Sequence, residues 1–115
     1  MEFYYVLSED KRTATCYYDD RREERGGILT SDPVNNVLHN LFGGVYSLKK
    51  VVFDVTCKSA YFYITLGWFR YCCNLEEITG LENLNTGNVG NMSFMFSGCS
   101  ALTALDLSSF DTTRV

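Results

Sequence analysis

The sequence contains few of the residues that usually mark catalytic, linker or membrane-spanning segments. Its 115 residues include one proline and one histidine, His39. A single proline argues against a polyproline linker, and a single histidine leaves few combinations for a metal site or a general base. The longest apolar stretch, residues 60–69, has about half the roughly 20 residues needed to cross a bilayer. The N-terminal residues lack the basic and apolar regions of a signal peptide. We therefore expect no membrane-spanning segment.

Positive charge is also scarce, above all in the second half of the chain. The formal net charge is −4, with 10 Lys and Arg residues against 14 Asp and Glu residues. From Gly67 to Val115 the only basic residues are Arg70 and Arg114. Because no positive field would attract phosphate backbones, nucleic acid is not expected as a partner. A basic or neutral ligand would suit the acidic second half better.

Apolar and aromatic residues, by contrast, are plentiful enough for one globular domain. They make up 46% and 15% of the chain, too much for a disordered segment. Aromatic and β-branched residues in 3–7 and 13–18, separated by a polar turn, predict an N-terminal hairpin. The mixed charges of 19–25 indicate a solvated loop or a short helix. We interpret residues 1–30 as a hairpin cap with a charged loop. Residues 31–34, SDPV, predict a helix start, with a short helix over 34–42.

Residues 31–115 contain an internal repeat with a period of 27 residues. Phe42, Phe69 and Phe96 are each followed by leucine six residues later and by an apolar residue three positions further on. Each unit divides into a short helical piece, a turn and a strand, as in residues 91–97, Gly98 and 102–107. We therefore predict about three units, the last one truncated at Val115. The expected fold is an α+β repeat solenoid, with parallel strands and short helices, that follows the hairpin cap.

The period also predicts which residues lie side by side. In stacked units, residues 27 apart become neighbours on parallel strands about 4.8 Å apart. The predicted ladders are Lys50–Glu77–Ala104 and Val52–Thr79–Asp106. A Lys50–Glu77 pair would contribute about 0.2 to 1 kcal/mol.

The best-preserved unit resembles a known family. Residues 91–115 read NMSFMFSGCSALTALDLSSFDTTRV and resemble the leucine-rich-repeat-like unit of BspA-type bacterial surface proteins. Residues 81–92 resemble the connector between such units, and the hairpin with residues 17–20 resembles the segment that precedes them. The resemblance implies a right-handed leucine-rich-repeat-like stack, of which this chain would be an N-terminal fragment. It further implies a secreted or cell-surface protein that binds host or matrix proteins or other cells, without catalysis.

Five cysteines offer other candidate chemistry. No Cys-x-x-Cys pair is present, so we expect neither zinc nor another metal. Cys72 and Cys99 lie one period apart and are expected to pack as small apolar residues, with a disulfide between them as the alternative. A cysteine nucleophile with His39 as its base would make the protein a cysteine-dependent hydrolase. No motif supports that remote alternative.

Other candidate sites are better explained by structural roles. Asp106 and Asp111 lack the glycine-rich repeats of calcium-binding β-rolls and are expected to cap turns. Asn91 belongs to a glycosylation sequon but is expected to cap a helix start. One aromatic group is expected to pack in the core rather than to form a sugar-binding platform: Tyr61, Phe62, Tyr63, Trp68 and Phe69.

These observations predict a binding module rather than an enzyme. Its expected binding surface for a protein or glycan is the outward strand face, with Glu77, Thr79, Ala104 and Asp106. The alternative is a structural cap or spacer of a longer repeat array, without a ligand of its own. No cofactor is expected. The last unit would expose an apolar edge, which predicts a homodimer through that end. The residues of this edge are Leu102, Leu105, Leu107 and Phe110.

Overall fold

Five strands form the centre of the structure, a computed structural model that describes residues 1–30 and 40–115. The strands are β1 (Glu2–Leu7), β2 (Thr13–Asp19), β3 (Ile28–Leu29), β4 (Lys50–Phe53) and β5 (Glu77–Thr79). They form one mixed sheet in the order β3-β1-β2-β4-β5. β1 pairs antiparallel with β2 and β3, whereas the pairs β2–β4 and β4–β5 are parallel. The described helices are short, namely α1 (Arg22–Arg25) and the 3-10 helices Val55–Ser59 and Leu81–Asn83.

The predicted N-terminal hairpin is confirmed. β1 and β2 pair along their length, with Tyr5 opposite Cys16. The polar residues between them close the turn, where the Ser8 N–H donates to the Thr13 carbonyl at 2.9 Å. The mixed-charge segment contains the short helix α1, one of the two forms predicted for it. The predicted helix start at 31–34, His39 and most of the predicted helix over 34–42 lie outside the described residues.

The predicted α+β repeat solenoid is wrong. The sheet is mixed and does not curl into a stack, almost no described residue is helical, and the molecule measures 37 × 31 × 27 Å. Residues 91–97 form mainly turns rather than a helix, and 102–107 form no strand. Asn91 accepts a hydrogen bond from the Ser93 N–H at 2.9 Å, and such a local bond competes with helix formation. The hairpin belongs to the same sheet, because its strand β2 pairs in parallel with β4. It is therefore not a separate cap on a stack of repeats.

The 27-residue spacing nevertheless predicts the alignment of two strands correctly. Lys50 lies opposite Glu77, and Val52 lies opposite Thr79, across β4 and β5. The Lys50 ammonium group lies 3.6 Å from the Glu77 carboxylate. The spacing therefore identifies a local pair of parallel strands but not the architecture that contains them.

Aromatic rings form the centre of the core. Phe69 is fully buried, and its ring centroid lies 6.3 Å from that of Phe42, 6.1 Å from Phe53 and 5.4 Å from Phe96. Such pairs contribute about 0.5 to 1.5 kcal/mol beyond the burial of their area. Trp68 stacks on Phe53 at 6.3 Å and is also buried. The rings thus join the sheet to the turns that precede β4 and β5.

A charged cluster attaches α1 to the hairpin. The Tyr4 hydroxyl donates to one Asp19 carboxylate oxygen at 2.6 Å. The Arg25 guanidinium lies 3.5 Å from the other Asp19 oxygen. It also lies 4.1 Å from the centre of the Tyr17 ring. Burial acts to raise the pKa of Asp19, but hydrogen bonds from Tyr4 and the Arg21 N–H, with the charge of Arg25, outweigh it and lower the pKa. Burial, together with the same hydrogen bond, raises the pKa of Tyr4 to about 12. The cluster holds Asp19 ionised and Tyr4 neutral at physiological pH.

Candidate partner-binding site beside β5

The four predicted binding residues lie along two neighbouring clefts beside β5. Glu77 and Thr79 begin and end β5, while Ala104 and Asp106 belong to the exposed segment that follows Leu102. A cleft of about 420 Å³ is lined by Glu77, Ala104 and Asp106 among others, and one of about 290 Å³ by Thr79 and Asp106. The predicted ladders are wrong at their third member, since Ala104 and Asp106 do not pair with β5 as a strand. A gap separates β5 from residues 102–107, which were predicted to form the third strand.

The C-terminal segment is held at both ends of this gap. Backbone N–H groups of residues 65, 67, 69 and 71 donate to the carbonyls of residues 91, 93, 95 and 97 at 2.8 to 2.9 Å. Beyond the gap, the Asp111 N–H donates to the Thr86 hydroxyl at 2.8 Å. Within the described parts of the chain, no hydrogen bond joins 102–107 to β5. Residues 102–109 therefore lie across the clefts from β5 without a hydrogen bond to it among the described residues.

The outer edge of β5 faces the clefts. Among the strands that the structure describes, β5 is the last of the sheet and has only β4 beside it. The Glu77 N–H donates to the Lys49 carbonyl at 3.2 Å. Because successive backbone groups of a strand point to opposite edges, those of Ile78 face away from β4, and Ile78 lines both clefts. Gly80 directly follows the strand with a φ of 80°, and a Cβ there would clash with the Phe53 carbonyl oxygen.

The clefts carry negative charge without a compensating cation among their lining residues. Their lining carboxylates are Glu76, Glu77, Glu82 and Asp106. Lys50, outside the lining, pairs with Glu77, but both side chains are about half exposed, so water screens the pair. Hydrogen bonds from Ser108 lower the pKa of Asp106 and keep it ionised at neutral pH. The site therefore favours a positively charged ligand.

A second, apolar groove lies at the surface beneath Leu107. Its volume is about 540 Å³, and its apolar lining residues are Met92, Phe94, Met95, Phe96, Leu107 and Phe110. Of the four residues predicted to form an exposed apolar edge, Leu107 is 39% exposed, whereas the other three are half-buried. Sequence reasoning therefore overstated the exposure of Leu102, Leu105 and Phe110, two of which pack against the core.

Phe94 is the most exposed apolar side chain of this groove, and sequence reasoning missed it. It is 58% exposed and adopts a φ of 58°, in the left-handed region that costs a side chain about 1 to 2 kcal/mol. Gly67, one period earlier, adopts a φ of 68° at the equivalent turn. The Arg70 guanidinium lies 4.3 Å from the centre of the Phe94 ring. Comparing positions 67 and 94 in the sequence would have shown that Phe94 stands where the preceding unit has a glycine, which is the residue that a left-handed turn favours.

Four of the five cysteines contribute to packing, whereas Cys73 is exposed. All five are free thiols, and Cys72 and Cys99 lie in or against the core, as predicted. The Cys99 thiol donates to the Phe69 carbonyl at 3.1 Å. Burial raises the pKa of Cys57 and of Cys72 to about 12, so these thiols are protonated at neutral pH. The predicted alternative of a cysteine–His39 pair falls on a residue outside the described part, and the described residues contain no group of three or more potential metal ligands.

The remaining candidate sites divide between confirmed and wrong predictions. Asp106 and Asp111 cap turns, accepting hydrogen bonds from the N–H groups of Ser108 and Thr113. Asn91 also caps a turn, although no helix follows it. Trp68 and Phe69 are buried and Phe62 packs against the core, as predicted. Tyr61 and Tyr63, predicted to pack inside, are instead 68% and 67% exposed.

Comparisons with known proteins do not identify this site. No protein-family model, curated protein or solved structure matches it. The resemblance to BspA-type surface proteins therefore stays a prediction. In the described ranges, no helix is long and apolar enough to span a membrane.

Proposed function

We propose that the protein is a non-catalytic binding module that holds a protein partner in the two clefts beside β5. The observation that carries this proposal is the position of Glu77, Thr79, Ala104 and Asp106, which line the same pair of clefts although Glu77 and Asp106 lie far apart in sequence. A protein fits better than a glycan, because the described residues that line the clefts include no aromatic ring on which a sugar could stack. A location outside the cell or at its surface belongs to the proposal and rests on the resemblance.

Arrays of peptides and glycans test this function without a known ligand. The peptide array should contain acidic, neutral and basic sequences of equal length. The cleft variant is Glu77→Gln/Asp106→Asn, and the matched control is Glu23→Gln/Glu24→Gln, which removes two charges from exposed positions of α1. We expect a set of peptides to bind the wild type and the control but to lose binding to the cleft variant. If no probe distinguishes the cleft variant from the control, the proposed function is wrong.

A second candidate function is structural, in which two copies pair through the apolar groove. The position of Phe94 favours this function, because its side chain is largely exposed and also lines the apolar groove. In a two-fold dimer, the Phe94 ring of one copy would enter the apolar groove of the other, and the same contact would form twice. Buried aromatic anchors of this kind dominate many interfaces. Sedimentation equilibrium over a wide concentration range tests it, and a monomer throughout would reject it.

A further inference from the structure

We infer, on the basis of the proposed function, that the partner is an extended segment rich in Lys or Arg that adds to the outer edge of β5 through main-chain hydrogen bonds. Ile78 would supply the N–H and carbonyl groups that face this segment. The proposal concerns the mode of binding and the chemistry of the partner, whereas the proposed function concerns only the place of binding.

The first argument comes from the backbone of β5. An edge strand presents N–H and carbonyl groups that lack a neighbouring strand, and peptides commonly bind by adding a strand there. At the opposite edge of the sheet, β3 has only two residues, Ile28 and Leu29, and so offers a shorter template. Ile78 is the central residue of β5, and it lines both clefts. The unpaired groups are therefore accessible from the proposed site.

The second argument comes from the segment that would otherwise cover this edge. Residues 102–109 are anchored before and after the gap, as described above, but make no hydrogen bond to β5 within the described ranges. The turns at both ends of this segment are closed by local bonds, Leu102 N–H to the Cys99 carbonyl at 3.2 Å and Phe110 N–H to the Leu107 carbonyl at 3.0 Å. Residues 102–109 therefore leave the outward N–H and carbonyl groups of Ile78 without a hydrogen bond from this segment, and they form the opposite wall of the clefts.

The third argument is charge complementarity. The clefts are lined by four carboxylates and by neither Lys nor Arg. In an extended segment, alternate side chains point to the same face, so Lys or Arg at every second position would present a row of cations on one face of the segment. Glu76, Glu82 and Asp106 are exposed and form no ion pair within the described residues, whereas Glu77 already pairs with Lys50. An acidic segment would be repelled from the same site.

Defined peptides test the inference. The probe is the seven-residue peptide Lys-Val-Lys-Val-Lys-Val-Lys with blocked ends. Its controls are the same peptide with every backbone nitrogen methylated, which keeps the charge but removes the donors, and an acidic version with Glu in place of Lys. Calorimetry measures affinity, and amide hydrogen exchange of Ile78 measures main-chain pairing.

We expect the basic peptide to bind at least about tenfold more tightly than either control, with slower exchange of the Ile78 amide in its complex. Equal binding of the methylated peptide, or an unchanged exchange rate at Ile78, would overturn main-chain pairing. Failure of the basic peptide to bind better than the acidic one would overturn the basic partner. Neither result rejects the proposed function, which fails only if the arrays do not distinguish the cleft variant from its control.

Discussion

The rings of Phe69 and Phe96 lie nearly parallel, with an angle of 6° between their planes and 5.4 Å between their centroids. They occupy equivalent positions in two segments that run side by side, since the Phe69 N–H donates to the Met95 carbonyl at 2.8 Å. Phe69 also contacts Phe42 and Phe53 and is fully buried. This ring therefore couples the C-terminal segment, and with it the wall of the candidate site, to the core.

Replacing Phe69 with alanine should cause a large loss of stability. The change removes a buried ring and leaves a cavity between its three aromatic neighbours, for which we expect a loss of about 3 to 5 kcal/mol in the free energy of unfolding. Urea denaturation followed by circular dichroism measures it. Val55→Ala, at a position 60% exposed, is the control and should change the free energy by less than about 0.5 kcal/mol. A loss below about 1 kcal/mol for Phe69→Ala would contradict the central role of this ring.

Replacing Phe94 with glycine should separate stability from self-association. Glycine relieves the left-handed conformation but increases the freedom of the unfolded chain, so we expect the free energy of unfolding to change by less than about 1 kcal/mol. The same change removes the ring that would enter the neighbouring copy. Sedimentation equilibrium should therefore show weaker dimerisation for Phe94→Gly than for the wild type. Val55→Ser, an exposed apolar position outside the groove, should leave dimerisation unchanged. Equal dimerisation of both variants would reject the apolar groove as the interface.

The sequence predicts those parts of the fold that depend on neighbours in the chain or on the 27-residue period. The hairpin follows from alternating aromatic residues around a polar turn, and the Lys50–Glu77 alignment follows from the period. The parallel pairing of β2 with β4 has no such signal, because it brings together Thr15 and Val52, which lie far apart in the sequence and are not related by the period. That pairing makes the sheet mixed, and it is the main reason that the solenoid prediction is wrong.

The sequence predicts which residues line the candidate site but not how their backbones are arranged. Alternation along the strand predicts that Glu77 and Thr79 face the same way, and the period relates them to Ala104 and Asp106. Whether the last segment pairs with β5 depends on turns such as the one that Asp106 caps with the Ser108 N–H. A period locates equivalent residues, but it does not show whether their backbones approach within hydrogen-bond distance.

Replacing Gly80 with alanine should disturb the edge that carries the site. Gly80 combines a φ of 80° with a position where a Cβ would meet the Phe53 carbonyl oxygen, so the end of β5 would have to move. We expect a loss of roughly 2 kcal/mol or more, measured by urea denaturation. Gly26→Ala is a matched control, because its φ is 64° but its Cβ would meet nothing within 4 Å. It should cost about 1 kcal/mol. Equal losses in the two variants would show that the backbone conformation alone, and not the contact with Phe53, determines the effect.

Replacing Asp19 with asparagine should reduce stability at neutral pH but not in strong acid. Asparagine keeps an oxygen for the Tyr4 hydroxyl and removes the charge that pairs with Arg25. Because the folded state lowers the pKa of Asp19, the ionised carboxylate stabilises the fold above its ordinary pKa of about 3.9. That contribution is lost as the pH falls through the lowered pKa of the folded state. We expect Asp19→Asn to be less stable than the wild type by roughly 1 kcal/mol at pH 7, and the difference to vanish towards pH 2.

Urea denaturation at a series of pH values measures this difference. Asp20→Asn is the neighbouring control, since its carboxylate is largely exposed and pairs only with the N-terminal amine among the described residues. Its stability should follow that of the wild type across the same range. A constant difference between Asp19→Asn and the wild type from pH 7 to pH 2 would mean that packing, rather than charge, accounts for the role of Asp19. The hydrogen bond from Tyr4 and the nearby guanidinium of Arg25 would then stabilise the charged and neutral side chains equally, which their chemistry argues against.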